Sequence, residues 1–369
     1  MTLPRLRLAR TEGVGPLTFR RLLARHGGDA AAALDALTSL GAGRAGPCTP
    51  PPEDEVRREM AALAALGGRF VFLDDPLYPP LLARLPDAPP VLAVLGDAGL
   101  LAAPAVALVG ARNASAAGRR IAERLAEDLA AKGLTVVSGL ARGIDTAAHE
   151  GALRGGGTIA VLPGGVDLPY PPENAALAQR IAARGAVISE APLGTAPLNR
   201  HFPKRNRIVA GLVLGVVVVE AALRSGTLIT ARLALEAGRE VFAVPGSPLD
   251  PRCRGANDLL RQGAHLVESA EDVLEHLPET PREAPLFDPA RMAAAASEGP
   301  EAPPEGLDPP PEGAAEVLEL IGLSPVSVDE VLRRCHLTAP ELQAVLTDLE
   351  LEGRVELLPG HRVMRSANG

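Results

Sequence analysis

Between Val106 and Val244 the chain alternates short, wholly apolar runs with longer stretches in which apolar positions recur every three or four residues. The runs predict strands at Val106–Val109, Thr135–Ser138, Thr158–Leu162, Ala186–Ser189, Gly215–Glu220 and Glu240–Val244. The longer period predicts helices over Ser115–Lys132, Thr146–Arg154, Asn174–Arg184, Pro203–Leu212, Thr227–Ala237 and Asn257–Gln262. Strands with no polar alternation are those buried on both faces, which points to a parallel sheet covered by helices. The alternation of strand and helix therefore predicts a doubly wound α/β domain. Such sheets take ligands beyond the carboxyl ends of the strands, where the crossover direction reverses.

The flanks pattern differently. Glu53 to Leu66 reads as a helix, Gly67-Gly68 as a break and Phe70–Leu73 as a strand, so residues 1–66 form a helical unit and 67–280 the α/β domain. Ten prolines fall between Pro278 and Pro311 among Ala, Glu and Gly, a composition that cannot bury enough surface to offset chain entropy. Residues 281–312 are thus expected to be a disordered linker, with a small domain at 313–369. The longest apolar run, Ile208 to Val219, is well short of the roughly 20 residues a bilayer requires. The first residues, Met-Thr-Leu-Pro-Arg-Leu-Arg-Leu, carry charge where an export signal needs an apolar run. No membrane contact is expected.

Composition narrows the function. A net charge of −8 excludes a uniformly basic coat, so nucleic acid could be bound only at a local basic site. Aromatics make up 2% with no Trp, so the core must be aliphatic. Lys132 and Lys204 are the only lysines among 37 basic residues, which base composition of the genome explains; clustering of arginines carries more information than their number. Cys48, Cys253 and Cys335 share no CxxC spacing, which argues against a disulfide framework or zinc ribbon and for a reducing, cytoplasmic setting. No metal or cofactor is expected.

Three strand-to-helix turns are built for close approach of an anion: Gly110-Ala111-Arg112-Asn113-Ala114-Ser115, Ser138-Gly139-Leu140-Ala141-Arg142-Gly143-Ile144-Asp145 and Ser225-Gly226-Thr227. Small residues admit a ligand to the backbone, helix N-termini offer N–H groups, and Arg112 and Arg142 supply planar forks for phosphate oxygens. Ser115, Asp145 and Ser225 serve equally as helix caps, which does not exclude an anion at the same ends. Neither GxGxxG nor GxxxxGK[ST] occurs at these turns, which turns the reading from dinucleotides and ATP toward a polymer backbone or an unusual nucleotide.

A fourth segment, Asn199 to Ile208, lies in a window from Ala191 to Val219 that holds no Asp or Glu. Pro203 suits the first position of a helix. In that helix Lys204, Arg207 and Gly211 share one face, a positive wall that a phosphodiester could follow, with Phe202 beside it for base stacking. The competing reading is a solvated arginine face with Phe202 in the core. Asp145 and His149, four apart, are either an acid–base pair or part of a structural hydrogen bond. Asn174 is expected to cap the helix that follows Tyr170-Pro171-Pro172-Glu173. No catalytic triad can be assembled from spacing.

These blocks together identify the chain as resembling the DprA/Smf family, DNA-processing protein A of bacterial natural transformation. Matching strings run from Tyr78-Pro79-Pro80-Leu81-Leu82 through Val109–Ser115, Ser138–His149, Tyr170–Asn174, Ser189-Glu190, Phe202–Ile208, Ser225–Ala231 and Ala243–Gly246 to Gly263-Ala264. The resemblance implies an extended Rossmann-like domain that binds single-stranded DNA, shields it from nucleases and helps load RecA recombinase. It implies a homodimer formed near Leu259 and Leu260, and a DNA groove lined by Arg112 and Phe202 to Arg207. The expected DNA contacts are therefore Gly110, Arg112, Asn113, Ser115, Gly139, Arg142, Phe202, Lys204, Arg205, Asn206, Arg207, Ser225 and Thr227, with no catalytic residue. Gly110-Ala111-Arg112 stands where the family usually has Gly-Ser-Arg. Residues 1–66 resemble a helix-hairpin-helix or SAM-like unit, in which Arg20 and Arg21 either touch phosphate or sit on a purely structural cap.

Residues 313–369 resemble the family's winged helix. Thr338-Ala339-Pro340-Glu341 reads as a capping box opening a helix to about Glu352. That helix holds Glu341, Asp348, Glu350 and Glu352 and no cation, so it is expected to meet protein rather than DNA. The alternative function is a nucleotide phosphoribohydrolase like those that release free cytokinins, whose motif is Pro-Gly-Gly-x-Gly-Thr-x-x-Glu. Pro163-Gly164-Gly165 is here followed by Val166-Asp167, and Gly226-Thr227-Leu228-Ile229 by Thr230 where the glutamate belongs.

Overall fold

The computed structural model describes residues 2–39, 49–278 and parts of 317–365. Residues 1–286 form one compact unit and 287–369 a second. In the first, nine strands make one sheet: β1 Arg69–Phe72, β2 Val91–Gly96, β3 Ala105–Val109, β4 Thr135–Ser138, β5 Thr158–Val161, β6 Ala186–Ser189, β7 Gly215–Val218, β8 Glu240–Ala243 and β9 His265–Leu266. Their order is β1-β2-β6-β5-β4-β3-β7-β8-β9. From β6 to β9 every neighbouring pair is parallel, as expected. The sheet is nonetheless mixed, because β1 and β2 add an antiparallel edge beside β6. Sequence patterning alone did not single out β2, a short run behind Pro89-Pro90, or the two-residue β9.

The helices of this unit are α1 Thr2–Ala9, α2 Pro16–Arg25, α3 Ala30–Ser39, α4 Glu53–Ala65, α5 Pro80–Ala83, α6 Ala116–Ala131, α7 Ile144–Gly155, α8 Ala175–Arg184, α9 His201–Gly211, α10 Gly226–Glu236, α11 Arg254–Arg261 and α12 Ala270–His276. Strand residues alternate between two cores. Ala107, Val109, Val216 and Val218 pack with Ile208, Val209, Ala231 and Leu82 on one face. Val106, Leu108 and Val217 pack with Leu125, Leu129 and Ala148 on the other. Both faces are apolar and covered, so the strands carry no polar alternation.

The chain winds β3-β4-β5-β6 in one direction, then crosses through α9 to β7 on the far side of β3. The direction therefore reverses between β3 and β7. α9 starts two residues earlier than expected, at His201, which puts Pro203 at the third helical position rather than the first. That placement costs no internal bond, because the first four N–H groups of a helix have no intrahelical partner anyway.

Arginines fasten α1–α4 to the α/β domain. Arg5 pairs with Asp74 at 2.5 Å, and Arg10 pairs with Glu59 at 2.8 Å while donating to the Glu190 carbonyl at 2.9 Å. Glu59 also accepts the Leu193 amide at 3.2 Å. In the second unit, β10 Val326–Ser327, α13 Val328–Arg334, β11 Val355–Leu358 and β12 Arg362–Arg365 give a three-stranded antiparallel sheet in the order β10-β12-β11, with a helix, as a winged-helix unit requires. Val331, Leu342, Val345, Leu346 and Val363 form its core. Cys48, the linker 281–312 and the capping box Thr338–Glu341 lie outside the described residues.

Candidate functional site

At the reversal point the turns after β3 and β4, the start of α10 and the first turns of α9 enclose a cleft of about 440 Å³. The turns are pressed together. The Thr227 hydroxyl donates to the Gly110 carbonyl at 3.1 Å, and the Ile144 amide to the Ala111 carbonyl at 3.2 Å. Gly143, at φ +78°, could not carry a side chain, since a Cβ would lie 2.3 Å from the Ala111 carbonyl oxygen.

Several helix-start amides expected to be open to an anion are already engaged. Ser115 caps α6 by accepting the Gly118 amide at 2.8 Å, and gives both its amide (2.9 Å) and its hydroxyl (2.5 Å) to the carboxylate of Glu220. Glu220 is 5% exposed, and the missing side chain of Gly118 makes room for it, since a Cβ there would lie 2.5 Å from the carboxylate. One oxygen of Asp145 takes the amides of Gly139 (3.1 Å) and Ala141 (3.3 Å), and Ser225 takes that of Thr227 (3.0 Å). The negative charge favoured at the starts of α6 and α7 is thus supplied by the protein itself.

The open cations of the cleft are side chains. Arg112 is exposed and places its guanidinium over the Phe202 ring, 4.9 Å from the centroid. Arg205 lies 6.0 Å from the same centroid, buried, and donates to the Val161 carbonyl at 3.0 Å, while its Nε finds no partner. Burial holds the Arg205 pKa below the ordinary arginine value, with neighbouring Asp145 opposing the shift. Burial raises that of Asp145, opposed by Arg205 and the two loop amides. Asn206, Ser225 and Thr227 complete the wall, and Thr230 is buried there.

The structure divides the other expected contacts. Lys204 is exposed but lies with Arg207 in a second cleft of about 710 Å³, lined also by residues of α1 and α2 and adjoining the first along Pro203, Arg205 and Ile229. Arg207 is not part of an open positive wall: it is paired with Glu190 and donates to the Asp87 carbonyl at 2.7 Å. Nor is Gly211 a bare surface position, because a Cβ would lie 2.6 Å from Leu85 Cδ1. Arg142 and Asn113 line a third depression, joined to the first by Arg112, and Arg142 pairs with Glu173. Arg20 is committed to the Ala83 carbonyl at 2.8 Å, whereas Arg21 is exposed. Leu259 is 8% exposed and belongs to the core, with Leu260 half-buried beside it.

Asp145 and His149 do not pair. The Nδ1 of His149 meets the Thr158 hydroxyl at 2.8 Å, and burial lowers its pKa to about 3. Asn174 occupies the N-cap position of α8 as expected, but its side chain makes no cap bond; its amide donates instead to the Leu140 carbonyl and the Thr146 hydroxyl, at 2.8 and 2.9 Å. Sequence reading missed two residues. Glu220 was legible only as an acid closing a buried strand. Tyr170, 41% exposed, sits against Phe202 with ring centroids 5.8 Å apart and planes at 73°. Among the described residues no group of three or more His, Cys, Asp or Glu side chains could hold a metal ion, and no helix is long and apolar enough to cross a membrane.

Residues 69–278 match the family of DNA recombination-mediator protein A, residues 1–62 a DprA-like N-terminal HHH domain, and residues 300–361 a DprA winged helix domain. Protein Smf of Escherichia coli is 39% identical over 318 residues, covering 84% of this chain and 80% of its own. DNA processing protein DprA of Streptococcus pneumoniae is 49% identical over 206 residues, 56% of this chain and 72% of its own. A crystal structure of DprA from S. pneumoniae superposes with a TM-score of 0.65 at 34% identity, over 76% of this chain and 99% of that one. A structure of DNA processing protein A from Helicobacter pylori, described for its single-stranded DNA binding mode, gives 0.52 at 32% identity, over 57% and 95%.

Proposed function

This chain belongs to the DNA recombination-mediator protein A (DprA/Smf) family, and we propose that it binds single-stranded DNA in the cleft between β3 and β7. On this reading it protects incoming or processed strands and mediates RecA loading in natural transformation and recombination. It does so in the cytoplasm, as a homodimer and without catalysing a covalent step. The observation that carries the reading is the seat of Arg112: an exposed guanidinium held over Phe202, above a second, buried arginine with a donor to spare, at the reversal point of the sheet. The H. pylori relative, whose structure is described for single-stranded DNA binding, adds support. Phosphate is met mainly by Arg112 and Asn206, with Arg142 recruited as it exchanges Glu173 for the strand. Self-association near α11 would use Leu260, since Leu259 is committed to the core.

The test is the salt dependence of binding to an oligothymidylate. For every phosphate that the protein no longer neutralises, the slope of log affinity against log salt should become shallower by about 0.7. Arg112→Ala is expected to weaken binding and flatten the slope by about that amount; unchanged slope and affinity would overturn the site. RecA loading is checked separately, by the rate of RecA filament nucleation on the strand with and without this protein.

A further inference from the structure

The aromatic most available to a base in this site is not the one the sequence suggests. Phe202 is half-buried, and two guanidiniums, of Arg112 and Arg205, lie over its ring. A ring whose π-surface already serves cations has little left to offer a nucleobase. Tyr170 is different. It is one of only eight aromatic residues in a chain with no Trp, and it is 41% exposed, whereas the other tyrosine, Tyr78, is 4% exposed and donates its hydroxyl to the Pro89 carbonyl. Its ring leans on Phe202 at 73°, an edge-to-face contact that fixes its position while leaving ring surface toward solvent. The turn that bears it also bears Glu173, the partner of Arg142.

We propose that Tyr170 is the base-stacking residue of the strand site, with Phe202 acting as the seat that holds both Tyr170 and Arg112. This rests on the reading of the cleft as a single-strand site. The division of labour is chemical: Arg112 meets phosphate, Tyr170 meets a base of any identity, because every base presents a π-face. Binding through Tyr170 therefore tolerates sequence but requires bases.

The experiment compares an oligothymidylate with an abasic oligonucleotide of equal length, which keeps the phosphates and lacks the bases. The wild-type protein should prefer the thymidylate. Tyr170→Ala and Tyr170→Leu should weaken thymidylate binding by roughly five- to 150-fold, the range for loss of one stacked base, and leave abasic binding nearly unchanged. Tyr170→Phe should retain the preference. Because Trp is absent, tyrosine emission reports directly: it should be quenched by the thymidylate in the wild type, and the quenching should vanish in Tyr170→Phe while Tyr78 supplies a steady background. If Tyr170→Leu keeps the wild-type preference for bases while Arg112→Ala weakens both ligands, the cleft binds the strand and the stacking assignment is overturned. If the wild type binds neither oligonucleotide, the single-strand reading falls, and this inference with it.

Discussion

Gly139 and Arg205 should behave as one unit, and Gly139→Ala tests that. A methyl group on Gly139 would stand 1.6 Å from Nη1 of Arg205 and 2.3 Å from Cζ, so the guanidinium must leave its place. Leaving breaks its 3.0 Å bond to the Val161 carbonyl and removes the cation that opposes the raised pKa of Asp145. Overpacking a close-packed site costs about 1–3 kcal/mol, and a hydrogen bond to a charged group about 1.5–3. A loss of about 2.5–6 kcal/mol in stability is therefore expected for Gly139→Ala. Arg205→Ala alone should cost at least about 1.5–3 kcal/mol, because it removes the charged donor to the Val161 carbonyl together with the cation that opposes the raised pKa of Asp145. In the Arg205→Ala background the methyl meets no guanidinium, and its cost should fall below about 0.5 kcal/mol. Urea unfolding followed by tyrosine emission reads the right unit, since both tyrosines lie within residues 1–286. Costs that add to within about 0.5 kcal/mol across the four proteins would refute the coupling.

Three further outcomes follow from the same geometry. Glu220→Ala leaves the amide and hydroxyl of Ser115 without their acceptor, so about 1–3 kcal/mol of stability should be lost in denaturant titrations, with weaker strand binding as the turn bearing Arg112 loosens. Lys204→Ala should leave the unfolding midpoint unchanged, whereas Arg207→Ala should lower stability by about 1–3 kcal/mol by leaving the half-buried Glu190 and the Asp87 carbonyl without their donor; equal effects would contradict the placement of Arg207. His149, with its folded pKa lowered to about 3, binds a proton more readily in the unfolded chain, so its contribution to stability is present above about pH 6.5 and is lost as pH falls toward 3. Between pH 6.5 and 5 the loss should approach 2 kcal/mol, at about 1.4 per unit, and His149→Leu should remove that slope whatever its own cost in stability.

The strands of the α/β domain were legible because each is apolar on both faces, and the helices because their apolar positions recur at 3.6 residues. The antiparallel edge was not, since pairing direction leaves no mark on a run such as Val91 to Leu95. At the site, the three small-residue turns and Phe202 came together as spacing implied. What patterning could not supply was which charge each cation meets. Lys204 and Arg207 stand three residues apart in sequence, yet Arg207 turns to Glu190, which follows β6 at the end of a different strand. For Arg20 the sequence left phosphate contact and a structural role open for the same reason, its partner being the carbonyl of Ala83. Such pairings are long-range, and a linear reading sees only the residue type.

The chain's own carboxylates at the starts of α6 and α7 set how firmly a guest can be held. Backbone amides would have formed a rigid cradle with every donor fixed at once. On the proposed single-strand reading the grip falls instead to long, jointed side chains, each able to release one oxygen while its neighbours keep hold. A guest gripped in this way departs link by link rather than all together, so a competitor arriving at one end can peel it off without lifting the whole from its bed.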